Sequence, residues 1–124
     1  MAQATLIPVY TTKGDAEAFL AYPYLFNRSG EWIGFVNPRR EVFSVLGEYV
    51  GTLTNDPRIV RKRATSTLVS RATVPLPPRK IYPPANIPLA PMMSELTHSI
   101  IDVLQEEPDR LHTVDSGESR QDMD

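Results

Sequence analysis

Histidine, the side chain that most often ligates metals or moves protons near neutral pH, occurs at only two positions, His98 and His112. They lie fourteen residues apart with no third nitrogen or sulfur ligand and no carboxylate at metal spacing, so no metal site is expected. Cysteine is absent, which removes thiolate nucleophiles, disulfides and sulfur-ligated metals and leaves a reducing compartment open to the chain. The sequence holds no Gly-x-Ser-x-Gly elbow, phosphate loop or dinucleotide fingerprint, and no acid, base and nucleophile combine into a set. Catalysis is not expected and no cofactor is implied.

What remains is charge, and it is segregated. Residues 1–56 carry −2, residues 57–94 carry +7 with no acid among them, and residues 95–124 carry −7. The basic block comprises Arg58, Arg61, Lys62, Arg63, Arg71, Arg79 and Lys80, with Tyr82 as a stacking face. That chemistry can neutralise phosphates, which makes nucleic acid the alternative partner; the overall pI near 5.7 speaks against it. Two opposite blocks of equal size also suit each other, so association of the basic segment with the acidic one is the competing expectation.

The elements that must position these groups are legible in a repeat. Gly14, Gly30 and Gly47 lie 16 and 17 residues apart, each preceded four residues earlier by an aromatic (Tyr10, Phe26, Phe43) and followed by an acid (Asp15, Glu31, Glu48). Four residues after each glycine stands a small residue, Ala18, Gly34 or Gly51. The unit is a β-hairpin, such as Tyr24 to Val36, in which short aromatic and β-branched runs flank a type I turn closed by a left-handed glycine bulge. The small residue marks strands that approach closely. One such hairpin is marginal in water, so the copies must pack on one another. A fourth, degenerate copy is expected from the turn Asn55-Asp56-Pro57 and the run Arg58 to Arg63, without the repeat glycine. Convergence of the three turn acids on a cation is the functional alternative to simple solvation.

These residues resemble the four-fold β-flower proteins, a small bacterial group whose short hairpins stand as petals about a pseudo-fourfold axis. Tyr10/Gly14, Phe26/Gly30/Gly34 and Phe43/Gly47/Gly51 carry the resemblance over about residues 6 to 64, and Val74 to Lys80 looks like the basic, proline-rich continuation found in members. The resemblance implies a fold and supplies no mechanism.

Proline organises the second half: seven of the twelve fall between Pro75 and Pro91, which excludes helix and sheet interior and holds the backbone extended. Leu76, Ile81, Tyr82, Ile87 and Leu89 recur between them, and a purely solvated linker has no use for such side chains. The arm is expected either to seal its own β domain or to present Pro75 to Lys80 to an aromatic groove on another protein. Ser94 to Glu106 reads as an amphipathic helix capped by Ser94, with Leu96, Ile100, Ile101, Val103 and Leu104 on its apolar face. No run approaches the roughly 18 apolar residues of a membrane helix, and the first residues lack a signal peptide's basic and apolar regions, so the cytoplasm is the expected location and no membrane contact is anticipated.

The expectation is therefore a mainly β chain of 124 residues: three or four short hairpin repeats about a pseudo-symmetry axis (1–64), an extended basic Pro-rich arm (65–93), a short C-terminal amphipathic helix (94–107) and a disordered acidic tail (108–124). Its expected role is a non-catalytic protein-binding or assembly module. The residues nominated for a protein partner or for self-association are Leu76, Pro77, Pro78, Tyr82, Leu96, Ile100 and Leu104.

Overall fold

The computed structural model describes residues 6–64 and 72–114. Eight antiparallel strands follow one another in a single curled sheet in chain order: β1 (Ile7–Tyr10), β2 (Ala16–Ala21), β3 (Tyr24–Asn27), β4 (Trp32–Val36), β5 (Glu41–Ser44), β6 (Tyr49–Leu53), β7 (Ile59–Lys62) and β8 (Ile100–Asp102). A short helix α1 (Val103–Glu106) and a 3-10 turn (Pro108–Arg110) complete it. Strands 1–2, 3–4 and 5–6 are the three expected hairpins, and β7–β8 is a fourth pair.

The three hairpin turns share one geometry. Gly14, Gly30 and Gly47 have φ of 96°, 85° and 82°, conformations that a side chain resists, and each of the three hairpins carries a register shift beside its turn. The residue three before each glycine makes the turn: the amides of Gly14, Gly30 and Gly47 donate to the carbonyls of Thr11, Asn27 and Ser44 at 2.9 to 3.0 Å. Its side chain then accepts from the amide after the glycine, as Asn27 Oδ1 does from Glu31 (3.0 Å) and Ser44 Oγ from Glu48 (3.3 Å). Ser44 thereby forms the third turn despite the apolar Val45 and Leu46 inside it. The connection between β4 and β5 repeats the device on Asn37, with Arg40 at φ 65° in the glycine's place.

Alternation along the strands builds two apolar layers. Leu25, Ile33, Val36, Val42, Val50 and Ile59 line one face with Ile101, Val103, Leu104 and Leu111 packed on it, while Phe26, Trp32, Phe35, Phe43 and Val45 form the other. Burying a residue such as Phe26 or Leu25 contributes about 1.5–3 kcal/mol. Gly34 and Gly51 are small because neighbouring backbone demands it: a Cβ would lie 2.4 Å from the Phe43 carbonyl oxygen and 2.6 Å from that of Val60, respectively.

Two expectations about the C-terminal third require correction. The helix does not run over 94–107: Ser94 caps nothing, Ile100–Asp102 is the strand that pairs with β7, and only Val103–Glu106 is helical, capped by Asp102. The apolar run suits either period, and an otherwise open edge at β7 recruits the β-branched Ile100-Ile101 pair as its partner. Nor is the segment from 108 to 114 free of structure, because Leu111 is buried in the core with its Cδ2 2.9 Å from where a Gly34 Cβ would stand. The remainder of the expected tail, 115–124, lies outside the described residues, as does the start of the expected arm, 65–71. The fourth petal is thus complete, but its turn is replaced by the whole chain from residue 63 to residue 99.

Candidate functional site

That long excursion is the arm, and it lies across the tips of the three glycine petals in reverse order. The Ala72 amide donates to the Gly47 carbonyl and the Ile81 amide to the Gly30 carbonyl, both at 2.9 Å, and Ala90 Cβ stands 3.8 Å from where a Cβ on Gly14 would be. The three contacts are nine residues apart along the arm. Two tyrosines add their hydroxyls: Tyr24 donates to the Leu76 carbonyl (3.1 Å) and Tyr10 to the Pro88 carbonyl (2.8 Å). Ala72 and Ile81 pack against the aromatic layer, in which Phe35 and Phe43 stack at 5.4 Å and Trp32 Nε1 donates to the Gly34 carbonyl (2.7 Å). The chain returns to the sheet where the Arg63 amide meets the Ser99 carbonyl at 2.7 Å.

A proline-rich segment forms no ladder of its own, and its few amides serve as fasteners at the tips. Ile81 packs inward, but four other large apolar side chains stay in solvent. Leu76 and Tyr82 are each 85% exposed, Leu89 95% and Met92 100%. Lys80 Nζ sits 6.0 Å from the centre of the Tyr82 ring, so a charge lies beside that exposed aromatic. Of the residues nominated for protein contact, Leu76, Pro77 and Tyr82 are exposed, Pro78, Leu96 and Ile100 half-buried, and Leu104 is withdrawn into the core. Met92 belongs to no sequence pattern, and only its complete exposure distinguishes it.

The basic block is divided. Arg58 (3% exposed) is held by Asp56 through Nε (3.0 Å) and Nη2 (2.7 Å), and its Nη1 donates to Thr12 Oγ1 (3.0 Å). Thr12 in turn donates from its amide and hydroxyl to Asp102 Oδ2 at 2.6 and 2.7 Å, which ties the first petal to the fourth. Arg61 (6% exposed) pairs with Glu107 at 2.8 Å, and Arg63 reaches Glu106 at 3.3 Å. The basic and acidic segments therefore meet, and Arg58 and Arg61 are withdrawn from any surface a phosphate could reach. Lys62, Arg79 and Lys80 remain exposed, and Arg71 lies outside the described residues.

These pairs set two carboxyl groups apart. Burial pushes the Asp56 carboxyl up, but hydrogen bonds from Arg58 and Thr54, with the Arg58 charge, outweigh it and leave the group below its ordinary value. Glu107 is held below its ordinary value by the Arg61 hydrogen bond, against a smaller opposing effect of burial, with the charges of Arg61, Arg110 and Arg63 adding to it. The turn acids Asp15, Glu31 and Glu48 sit on three separate petals, and among the described residues no three His, Asp or Glu side chains gather as a metal site. No helix among the described residues is long and apolar enough to cross a membrane.

A curled sheet of four petals defines a β-flower architecture, and the family comparison agrees: residues 7–101 match the model of the 4-fold beta flower protein family. The chain belongs to that family. The match takes in the arm and the first two residues of β8 as well as the three glycine hairpins. No curated protein and no solved structure matches the chain.

Proposed function

We propose that the protein is a non-catalytic binding or assembly module of the bacterial cytoplasm, and that the exposed apolar side chains of the arm are its docking surface. The observation that carries this reading is the arm itself, whose backbone is fastened to the petal tips while Leu76, Tyr82, Leu89 and Met92 stand 85 to 100% exposed. Large apolar side chains are costly to hold in water, and a stiff, pre-fastened backbone lowers the entropy lost on docking. Polyproline recognition by an aromatic-lined partner uses the same economy. Burial of Arg58 and Arg61 in ion pairs favours a protein partner over a phosphate backbone.

Replacement of Leu76, Tyr82, Leu89 and Met92 together by serine tests the proposal. Exposed substitutions change stability by no more than about 0.5 kcal/mol each, so the fold persists. A protein captured from cell lysate by the parent chain is expected to be lost with the quadruple variant. Capture that survives it, or a salt-sensitive mobility shift of nucleic acid that weakens on charge reversal of Lys62, Arg79 and Lys80, would overturn the reading.

A further inference from the structure

The face beneath the arm has a specificity of its own. At Gly30 a Cβ would fall 1.8 Å from the Ile81 carbonyl oxygen, and at Gly47 one would fall 2.5 Å from that of Ala72, so the arm's backbone occupies space that only glycine leaves open. Each of these two tips also presents its carbonyl to an arm amide, at the same 2.9 Å. The residue two beyond each anchor repeats the contact, since Val74 Cγ2 lies 3.2 Å from the Gly47 position and Pro83 Cδ 3.1 Å from that of Gly30. Two neighbouring petals thus read two stretches of arm in an identical way, and Ala90 continues the nine-residue step to the third petal. Recognition is of an extended main chain with a small or β-branched residue at each anchor, and the aromatic layer receives that side chain.

We infer that the face tipped by Gly14, Gly30 and Gly47 is a receptor for extended proline-rich peptide, occupied in cis by residues 72–90, and that the arm of a second copy is its ligand in trans. A second copy is the source the structure favours because its arm carries both anchors in the required register. The cis contact is also suited to exchange: among the described residues it rests chiefly on two main-chain bonds, two tyrosine hydroxyls and the packing of Ala72 and Ile81, while Leu76, Tyr82, Leu89 and Met92 stay largely exposed. The length of the connection permits it, since β7 and β8 are joined by residues 63–99 where the other petals need a short turn. This inference uses the face under the arm and not the side chains above it, so either can fail without the other.

The test uses the full-length chain carrying Ile81→Asp, which weakens its own arm, and a fluorescent peptide of residues 72–92. Cis occupancy lowers apparent affinity by the fraction of receptors that are open, so the peptide is expected to bind the variant about tenfold or more tightly than the parent chain. A peptide that itself carries Ile81→Asp is expected to lose that binding. Ala72→Asp, at the neighbouring anchor, replaces Ile81→Asp in both chain and peptide should the latter variant not fold. Equal binding to parent and variant, or equal binding of the two peptides, overturns the receptor. The second-copy assignment is read by mixing Ile81→Asp with Gly30→Ala chains, one with an open face and the other with a displaced arm. A heterodimer absent from either chain alone supports it, and peptide binding without heterodimer overturns it.

Discussion

Gly14 and Gly30 occupy equivalent turns with φ of 96° and 85°, yet the arm meets them differently, and alanine at each separates the turn's needs from the arm's. A Cβ at Gly14 finds its nearest neighbour at 3.8 Å, so Gly14→Ala carries only the backbone cost of the left-handed region, about 1–2 kcal/mol. A Cβ at Gly30 meets the Ile81 carbonyl oxygen at 1.8 Å and its carbon at 2.7 Å, and these are backbone atoms that no rotamer change removes. Gly30→Ala must therefore displace the arm, forfeiting the Ile81 amide bond, about 1 kcal/mol, and part of the burial of Ile81, about another 1 kcal/mol. The total is about 3–4 kcal/mol. In a chain of this size each kcal/mol moves Tm by roughly 3–5 °C, so the two variants separate clearly in thermal unfolding. Tryptic cleavage after Arg79 and Lys80 provides the local readout: it accelerates in Gly30→Ala and keeps the parent rate in Gly14→Ala. Equal destabilisation of the two variants, or unchanged cleavage in Gly30→Ala, would refute the placement of the arm.

The remaining expectations concern the parts that close the fourth petal. Leu111→Ala should lose about 2–4 kcal/mol in urea unfolding, because its side chain fills the core beside Gly34. Glu107→Gln should cost about 1–3 kcal/mol by leaving buried Arg61 without its counter-charge, whereas Arg61→Met, which removes the buried charge and leaves Glu107 able to hydrate, should stay within about 1 kcal/mol of the parent. Asp56 and Glu107 are both depressed in the folded chain, so the unfolded chain binds more protons in acid; stability from these groups is fully present above their ordinary values of 3.8 and 4.5 and is lost as pH falls through the folded ones. The urea midpoint should hold from pH 7 to about 5 and decline below that, and Asp56→Asn should flatten part of the decline.

The three hairpins were legible because each requirement left a residue behind: a glycine for the left-handed turn, an aromatic for the outer layer, a small residue where backbone crowds. Other constraints left weaker marks. Thr11, Asn27, Asn37 and Ser44 are the common turn-makers, and aligning them in place of the glycines would have revealed that the β4–β5 connection repeats the hairpin turn with Arg40 at the bend. Ile100 to Leu104 satisfied a helical period, and only the unpaired edge of β7, a feature of tertiary structure, decides for a strand. Cis sealing by the arm stood beside presentation to a partner as an open alternative, and of the apolar residues that suggested docking Leu76, Tyr82 and Leu89 stand exposed. The register is not visible in sequence, since Ala72, Ile81 and Ala90 resemble one another only in fitting against the glycine tips. The charge blocks left association with each other and separate partners both open, and the Arg61–Glu107 and Arg63–Glu106 pairs favour the first; which arginines are buried depends on strand facing and is not visible in composition.

Amide hydrogen exchange along the arm tests the cis docking most directly. With the arm fastened at the petal tips, the Ala72 and Ile81 amides exchange slowly while those of Leu76 and Lys80, which donate to no backbone carbonyl among the described residues, exchange near the rate of an open chain. Uniformly fast exchange from residue 72 to residue 90, with the sheet amides still protected, would contradict it.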